Sequence, residues 1–254
     1  MGVKGDFRLD SASNASNILT SLEEKGISIV EDYIDQETLK TLKSDFDKYL
    51  SLEDNSFLKV FEYSAGKACK LILRMLDTNS TAFVVFTSDF FQEVANDFLK
   101  EEFELNKEIF LVEDISTSEH VAQQLHYDIA RTLKFFIYLE DTTVENGAFC
   151  CVPGSQKWTS KMRENHSHEI LPGNREFTRK LTDEFGEAIP IEGKAGTLII
   201  FDTDVFHKAG KVSKGRRRVM RGHTRTLRSI QERKKLIQDQ QPLSILSRIK
   251  KYFN

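Results

Sequence analysis

From residue 132 to residue 226 the chain alternates short β-branched and aromatic runs with tight-turn signals, a pattern that restricts this part to a mainly β fold. Thr132-Leu133-Lys134-Phe135-Phe136-Ile137-Tyr138-Leu139 has the length and composition of one strand. Glu145-Asn146-Gly147 supplies a turn, residues 148–152 a second strand, and Pro153-Gly154-Ser155 a second turn. Further strands are predicted at 195–203, 205–211 and 216–226, and two earlier ones at 109–115 and 121–126. Short antiparallel strands punctuated in this way fit a double-stranded β-helix, a cupin-like jelly roll.

The amino-terminal part reads as helical support for that sheet. Residues 18–25 form a short helix that Gly26 stops, and Ile27-Ser28-Ile29-Val30 is a strand. Asp35 is placed to cap a helix over 36–50, in which Leu39, Leu42, Phe46 and Leu50 recur at helical spacing. A further helix is expected over 89–99, with Phe90, Phe91 and Phe98 as core residues. The fold class is therefore mainly β with flanking α, the helices packed on one sheet. A chain of 254 residues fits one such domain: helical support over 16–104, a jelly-roll core over about 105–226 and a helical tail over 227–254.

Chemistry enters with His126-Tyr127-Asp128 and, far downstream, His207. Taken alone, a His-x-Asp tripeptide is a weak signal in a chain with six histidines. Its setting strengthens it, because these residues fall at the ends of predicted strands. Residues two apart on a strand turn to one face, so His126 and Asp128 can act together. Two imidazoles and one carboxylate suit a mononuclear Fe(II) centre with open positions for a cosubstrate and O2. The arginine-rich segment after His207 can hold the far carboxylate of a dicarboxylic cosubstrate, because a guanidinium fork matches a carboxylate. The combination reads as an Fe(II)/2-oxoglutarate oxygenase.

The run from His126 to Trp158, with its strand, Glu-Asn-Gly turn and Pro-Gly-Ser-Gln-Lys, resembles the core of the phytanoyl-CoA hydroxylase family of Fe(II)/2-oxoglutarate dioxygenases. Gly196-Thr197-Leu198-Ile199-Ile200-Phe201-Asp202-Thr203, His207 and Gly215-Arg216-Arg217 are similar to that family's second half, and Gly26 to Ile34 with the following helix to its opening. The likeness covers about residues 18 to 226. It implies that His126, Asp128 and His207 are the metal ligands and that 2-oxoglutarate is decarboxylated to succinate and CO2 as an unactivated C–H bond is hydroxylated. The family's Gly-x-Arg pattern places the cosubstrate anchor at Arg217, whereas counting from His207 permits Arg218; neighbours on a strand face opposite ways, so only one can point inward. Arg221 and the rest of the run are expected to be structural or solvent-facing. Desaturation, epimerisation and a binding protein without catalysis are the alternative outcomes. The substrate is expected to be a small molecule, free or linked to CoA or a carrier, and no nucleic-acid partner is expected.

Cys69, Cys150 and Cys151 make no disulfide framework or Cys-x-x-Cys zinc pair, and the adjacent two fall inside a predicted strand as small apolar groups. Reduced thiols, the absence of an 18-residue apolar run and the lack of an apolar signal core after Met1 point to the cytoplasm. From Lys214 onward 13 Lys and Arg face only two acids, Glu232 and Asp239. We read this as strand and helix surface rather than an anionic interface. The segment 159–189, which includes His166 and His168, is expected to be a loop or lid, its histidines not ligands. A helix over 227–240 ends before Pro242; the basic amphipathic tail 242–254 is expected to dock on its own protein or at a homodimer contact.

Overall fold

A computed structural model of the chain describes residues 8–9, 15–115, 118, 120–128, 130–164 and 185–239. Eight strands form the larger of two sheets: β1 (Arg8–Leu9), β2 (Ile27–Val30), β3 (Leu58–Tyr63), β4 (Gly66–Ile72), β5 (Phe103–Asp114), β6 (Leu133–Tyr138), β9 (Leu198–Asp202) and β11 (Arg217–Thr226). Their spatial order is β1-β2-β9-β6-β11-β5-β4-β3. β7 (Phe149–Val152), β8 (Ile189–Ile191) and β10 (Phe206–Lys208) form the smaller sheet, ordered β10-β7-β8. All pairings are antiparallel except the short β1–β2 contact. This is the expected jelly roll.

Strand alternation divides the core into two layers. Leu133, Phe135 and Ile137 of β6, Ile109 and Leu111 of β5, Leu198 and Ile200 of β9 and Met220 of β11 face the helices. Against them pack α1 (Ala15–Lys25), α2 (Gln36–Leu50), α3 (Thr81–Phe86) and α4 (Asp89–Leu99) through Leu22, Phe46, Phe86 and Phe91. The Phe91 and Phe135 rings stack at 4.2 Å. Each such side chain taken out of water contributes about 1.5–3 kcal/mol. The intervening residues Phe110, Val112, Phe136, Tyr138, Ile199, Phe201 and Val219 face the smaller sheet. Tyr138 ties the two sheets together: its hydroxyl donates to the Ile191 carbonyl at 2.7 Å and accepts from the Phe149 N–H at 3.0 Å.

Local signals behave as the sequence suggests at α2, where Asp35 Oδ1 accepts from the N–H groups of Glu37 and Thr38, both at 2.9 Å. Other segments depart from expectation. Val121–Gln123 is a single 3-10 turn rather than part of a strand, and beyond it His126 makes one isolated bridge to His207. β5 starts at Phe103, six residues before the expected 109. The β3–β4 hairpin was not anticipated. α5 (Gln156–Glu164) and β8 occupy the two ends of the supposed loop 159–189, while His166 and His168 lie outside the described residues. α6 (Leu227–Asp239) covers the helix expected over 227–240, and the tail 242–254 also lies outside the described residues. Among the described residues no helix is long and apolar enough to cross a membrane. All three cysteines are buried and unpaired, and burial pushes the Cys69 thiol up to about 12.

A bulge shapes the end of β11 nearest the site. The register with β5 shifts between His223 and Arg225, opposite Asn106, which takes a φ of 40°. Asn106 donates to the Phe86 carbonyl at 2.9 Å and its N–H donates to Thr224 Oγ1 at 3.0 Å. Gly222 is required here, since a Cβ at that position would lie 2.2 Å from Asn106 Oδ1. Bulges of this kind re-aim side chains beside functional sites.

Candidate metal centre

Backbone pairing brings the three ligand candidates together. The His126 N–H donates to the His207 carbonyl at 3.0 Å, and the His207 N–H returns a bond to His126 at 2.7 Å. Two residues on, the Asp128 N–H donates to the Thr203 carbonyl at 3.1 Å, which sets the carboxylate on the same side as His126. The turn carrying Thr203 is fixed in turn by Asp202, which accepts from the Asp204 N–H at 3.0 Å and pairs with Arg131 at 2.7 Å.

Donor atoms of His126, Asp128 and His207 all lie within 4.8 Å of one another. Asp128 Oδ1 is 3.9 Å from His126 Nε2 and 3.6 Å from His207 Nε2. Metal–ligand bonds of about 2.1 Å place neighbouring octahedral donors about 3 Å apart, so movements below about 1 Å close the set on an ion. Both imidazoles are already oriented for it. Nδ1 of His126 lies 2.6 Å from the Gln124 carbonyl and Nδ1 of His207 2.8 Å from the Val205 carbonyl. A carbonyl can only accept, so each Nδ1 carries the proton and each Nε2 presents its lone pair to the centre. Burial pushes both histidines below their ordinary value, His207 well below, which keeps them neutral. Burial pushes the Asp128 carboxyl up, but Lys134, His207 and His126 together outweigh it and hold the group well below the usual carboxylate range.

Lys134 is the nearest cation. It projects from β6, its side chain is 6% exposed, and Nζ lies 2.7 Å from Asp128 Oδ2. Burial pushes the ammonium down to about 8 against the opposing pull of Asp128. Its register partners are Phe201 on β9 and His223 on β11. His223 is buried, stacks on Phe110 at 4.5 Å, and its Nε2 has no hydrogen-bond partner among the described residues. A cavity of about 180 Å³ opens there between β5, β11 and α6, lined by His223, Arg225, Glu104, Glu108 and Arg233 among others.

The arginines of β11 separate by strand parity. Arg217 points inward and is buried, as the Gly-x-Arg spacing suggests. Its Nε and Nη2 both engage Asp114, Nε at 3.1 Å, and Nη1 donates to the Gly147 carbonyl. Its charge is thus already met, and Asp114 also accepts from the Tyr63 hydroxyl at 2.7 Å. Arg218 is not brought to the site. It lies on the helix-facing side over the Phe46 ring, with Nη1 2.8 Å from Asp47 and Nη2 2.9 Å from Glu140. The physical reason is the alternation of the strand.

Arg221, expected to be structural or solvent-facing, faces inward rather than to solvent. Four residues after Arg217, it shares the inward face, sits over the Phe110 ring at 5.3 Å, and has a buried Nε with no hydrogen-bond partner among the described residues. Burial pushes its guanidinium below the ordinary value, Asp128 pulls it up, and Arg217 lowers it further. The spacing Arg217-x-x-x-Arg221 is the sequence signal that marks it.

A sequence profile described as phytanoyl-CoA dioxygenase (PhyH) matches residues 22–219. A comparison with curated proteins found no match. Solved structures similar to the chain include SnoN from nogalamycin biosynthesis, a non-heme alpha ketoglutarate dependent epimerase (TM-score 0.58, 19% identity, 84% of this chain and 80% of that one). The same epimerase in complex with Fe3+, alpha ketoglutarate and nogalamycin RO aligns with a TM-score of 0.58 at 15% identity, covering 84% and 83%. EctD from S. alaskensis in its apoform aligns at 0.62 with 16% identity, covering 87% and 79%. At such identities the likeness is one of fold.

Proposed function

The chain belongs to the phytanoyl-CoA dioxygenase family of Fe(II)- and 2-oxoglutarate-dependent enzymes, and on that premise we propose that it hydroxylates an unactivated C–H bond of a small-molecule substrate, free or carrier-linked. The whole chain acts as one catalytic domain. His126, Asp128 and His207 hold Fe(II), and the inward arginines of β11 receive the cosubstrate. The convergence of the three donors, with both imidazoles held as Nδ1–H tautomers, supports this reading most directly. Two neutral nitrogens and one carboxylate oxygen are the donor chemistry that Fe(II) takes while keeping positions open.

When bound, the metal supplies oxidative decarboxylation of 2-oxoglutarate to succinate and CO2 coupled to oxidation of the substrate; the protein supplies placement and exclusion of water. Arg221 is the first candidate for the cosubstrate's carboxylate, since no salt bridge holds it among the described residues and it neighbours Asp128. Arg217 lies deeper along the same face, already paired with Asp114. Phe136, Phe149 and Phe201 form the apolar wall behind His207.

Succinate release, measured with a panel of small-molecule and carrier-linked compounds, tests the activity and locates the substrate. Wild-type protein that binds no Fe(II) and releases no succinate beyond a His207→Ala control would refute it. Epimerisation is the second reading, favoured by the likeness to SnoN. Oxygen-18 from O2 enters the product of a hydroxylation and is missing from that of an epimerisation.

A further inference from the structure

We propose that Lys134 is a positioning residue: by holding Oδ2 of Asp128 it compels the carboxylate to offer the metal one oxygen only. The inference rests on the assignment of His126, Asp128 and His207 as the metal site. The two carboxylate oxygens of Asp128 have separate tasks. Oδ1 faces both histidine Nε2 atoms, at 3.9 and 3.6 Å, while Oδ2 lies 2.7 Å from Lys134 Nζ. A carboxylate free to rotate could chelate an ion with both oxygens and fill a fourth coordination position. That position is needed by a bidentate cosubstrate and O2, which together require three.

The lysine is built to hold this place. Its stem lies on the inner face of β6, in register between Phe201 of β9 and His223 of β11, and its ammonium lies 5.6 Å from the centroid of the Phe201 ring. With the side chain 6% exposed, the ammonium has little water to turn to, and its attraction to Oδ2 is weakly screened. Asp128, by contrast, lies outside the strands, tied by its N–H to the Thr203 carbonyl, with its side chain 26% exposed. The partner held within the sheet therefore orients the one outside it. This is how hydrogen-bonded partners outside the ligand set orient metal-binding carboxylates generally.

The metal and the cosubstrate should respond differently to loss of Lys134, which makes the idea testable. Without the lysine a chelating carboxylate adds a donor and an ammonium beside the dication is gone, so the ion is held at least as tightly; 2-oxoglutarate loses a free position and binds more weakly. Co(II) serves as the probe, because its absorption bands report both its own binding and the arrival of 2-oxoglutarate. Wild type, Lys134→Met and Lys134→Gln are titrated with Co(II) and then with 2-oxoglutarate, after their folding is checked by circular dichroism. The amide of Lys134→Gln keeps a donor for Oδ2 and removes the charge. We expect Lys134→Met to hold Co(II) at least as tightly as wild type and 2-oxoglutarate about tenfold or more weakly. Lys134→Gln should hold 2-oxoglutarate to within about threefold of wild type.

2-Oxoglutarate binding by Co(II)-loaded Lys134→Met as tight as by wild type would overturn the proposal, as would a Lys134→Gln variant as impaired as Lys134→Met. If Lys134→Met does not fold, Lys134→Leu, which also lacks a donor, takes its place under the same criteria. Wild type that binds no Co(II), or binds it equally after His207→Ala, would instead sink the metal assignment itself.

Discussion

Arg221→Met separates a functional charge from a structural one on the same strand face. Arg221 has no carboxylate partner among the described residues, its Nε is buried without a hydrogen bond, and Arg217 lies on the same face four residues away. Removing it strands nothing, so the melting temperature should stay level or rise. Losing its charge-assisted contact to a cosubstrate carboxylate costs about 2–5 kcal/mol by the scale of truncated charge pairs. The site is only partly buried, so we take the lower half, about 2–3 kcal/mol, or roughly 30- to 150-fold in 2-oxoglutarate affinity. Arg217→Met should behave in the opposite way. It leaves Asp114 buried without its cation, a loss of about 3–5 kcal/mol, which corresponds to a fall of roughly 6–20 °C in a domain of this size. Arg218→Met removes contacts to Glu140 and to the exposed Asp47 on the other face. It should cost about 1–3 kcal/mol, since Glu140 keeps Arg216 as a partner, and leave cosubstrate affinity unchanged. The assay pairs calorimetric melting with anaerobic titration of 2-oxoglutarate into the metal-loaded protein. A destabilised Arg221→Met with unchanged cosubstrate affinity would refute the reasoning, and loss of affinity only in Arg217→Met would move the anchor to that residue.

The other predictions are shorter. His207→Ala should lose metal binding at the site and all turnover, since two remaining ligands leave an incomplete set; retention of succinate release would dismiss the triad. Wild type in chloride buffer should form hydroxylated and no chlorinated product, because Asp128 occupies the position a halide would need; mass spectrometry of the product decides. Stability of the metal-free protein should fall as pH drops below about 6.5. His126, His207 and His223 all have folded values depressed by burial, so the unfolded chain takes up protons that the folded one refuses. Each contributes a slope of up to about 1.4 kcal/mol per pH unit. His223→Phe, which keeps the stack on Phe110, should flatten that acid limb; an unchanged slope would show that His223 is not among the groups refusing protons.

What could be read without coordinates follows from where the information resides. α2 and α4 show a local period and, in α2, a local cap, and β6, β7, β9 and β11 are bounded by turn residues, so each was visible within its own segment. The β3–β4 hairpin was not, because Lys59, Glu62, Lys67 and Lys70 interrupt its apolar content; it lies at the edge of the sheet and needs less. The metal ligands were legible as residue types, yet their delivery was not: His126 is placed by one bridge to His207, a partner 81 residues away. For the arginines, alternation alone puts 217 and 221 on one side and 218 on the other. Which side faces inward depends on pairing with β6 and β5. One sequence cue does survive. On the inward face of β6, Lys134 precedes Phe136 and Tyr138; on that of β11, Arg221 and His223 follow Val219. Polar residues that enter an apolar phase at the same register level on paired strands mark where packing gives way to chemistry, and here that level is the one beside Asp128.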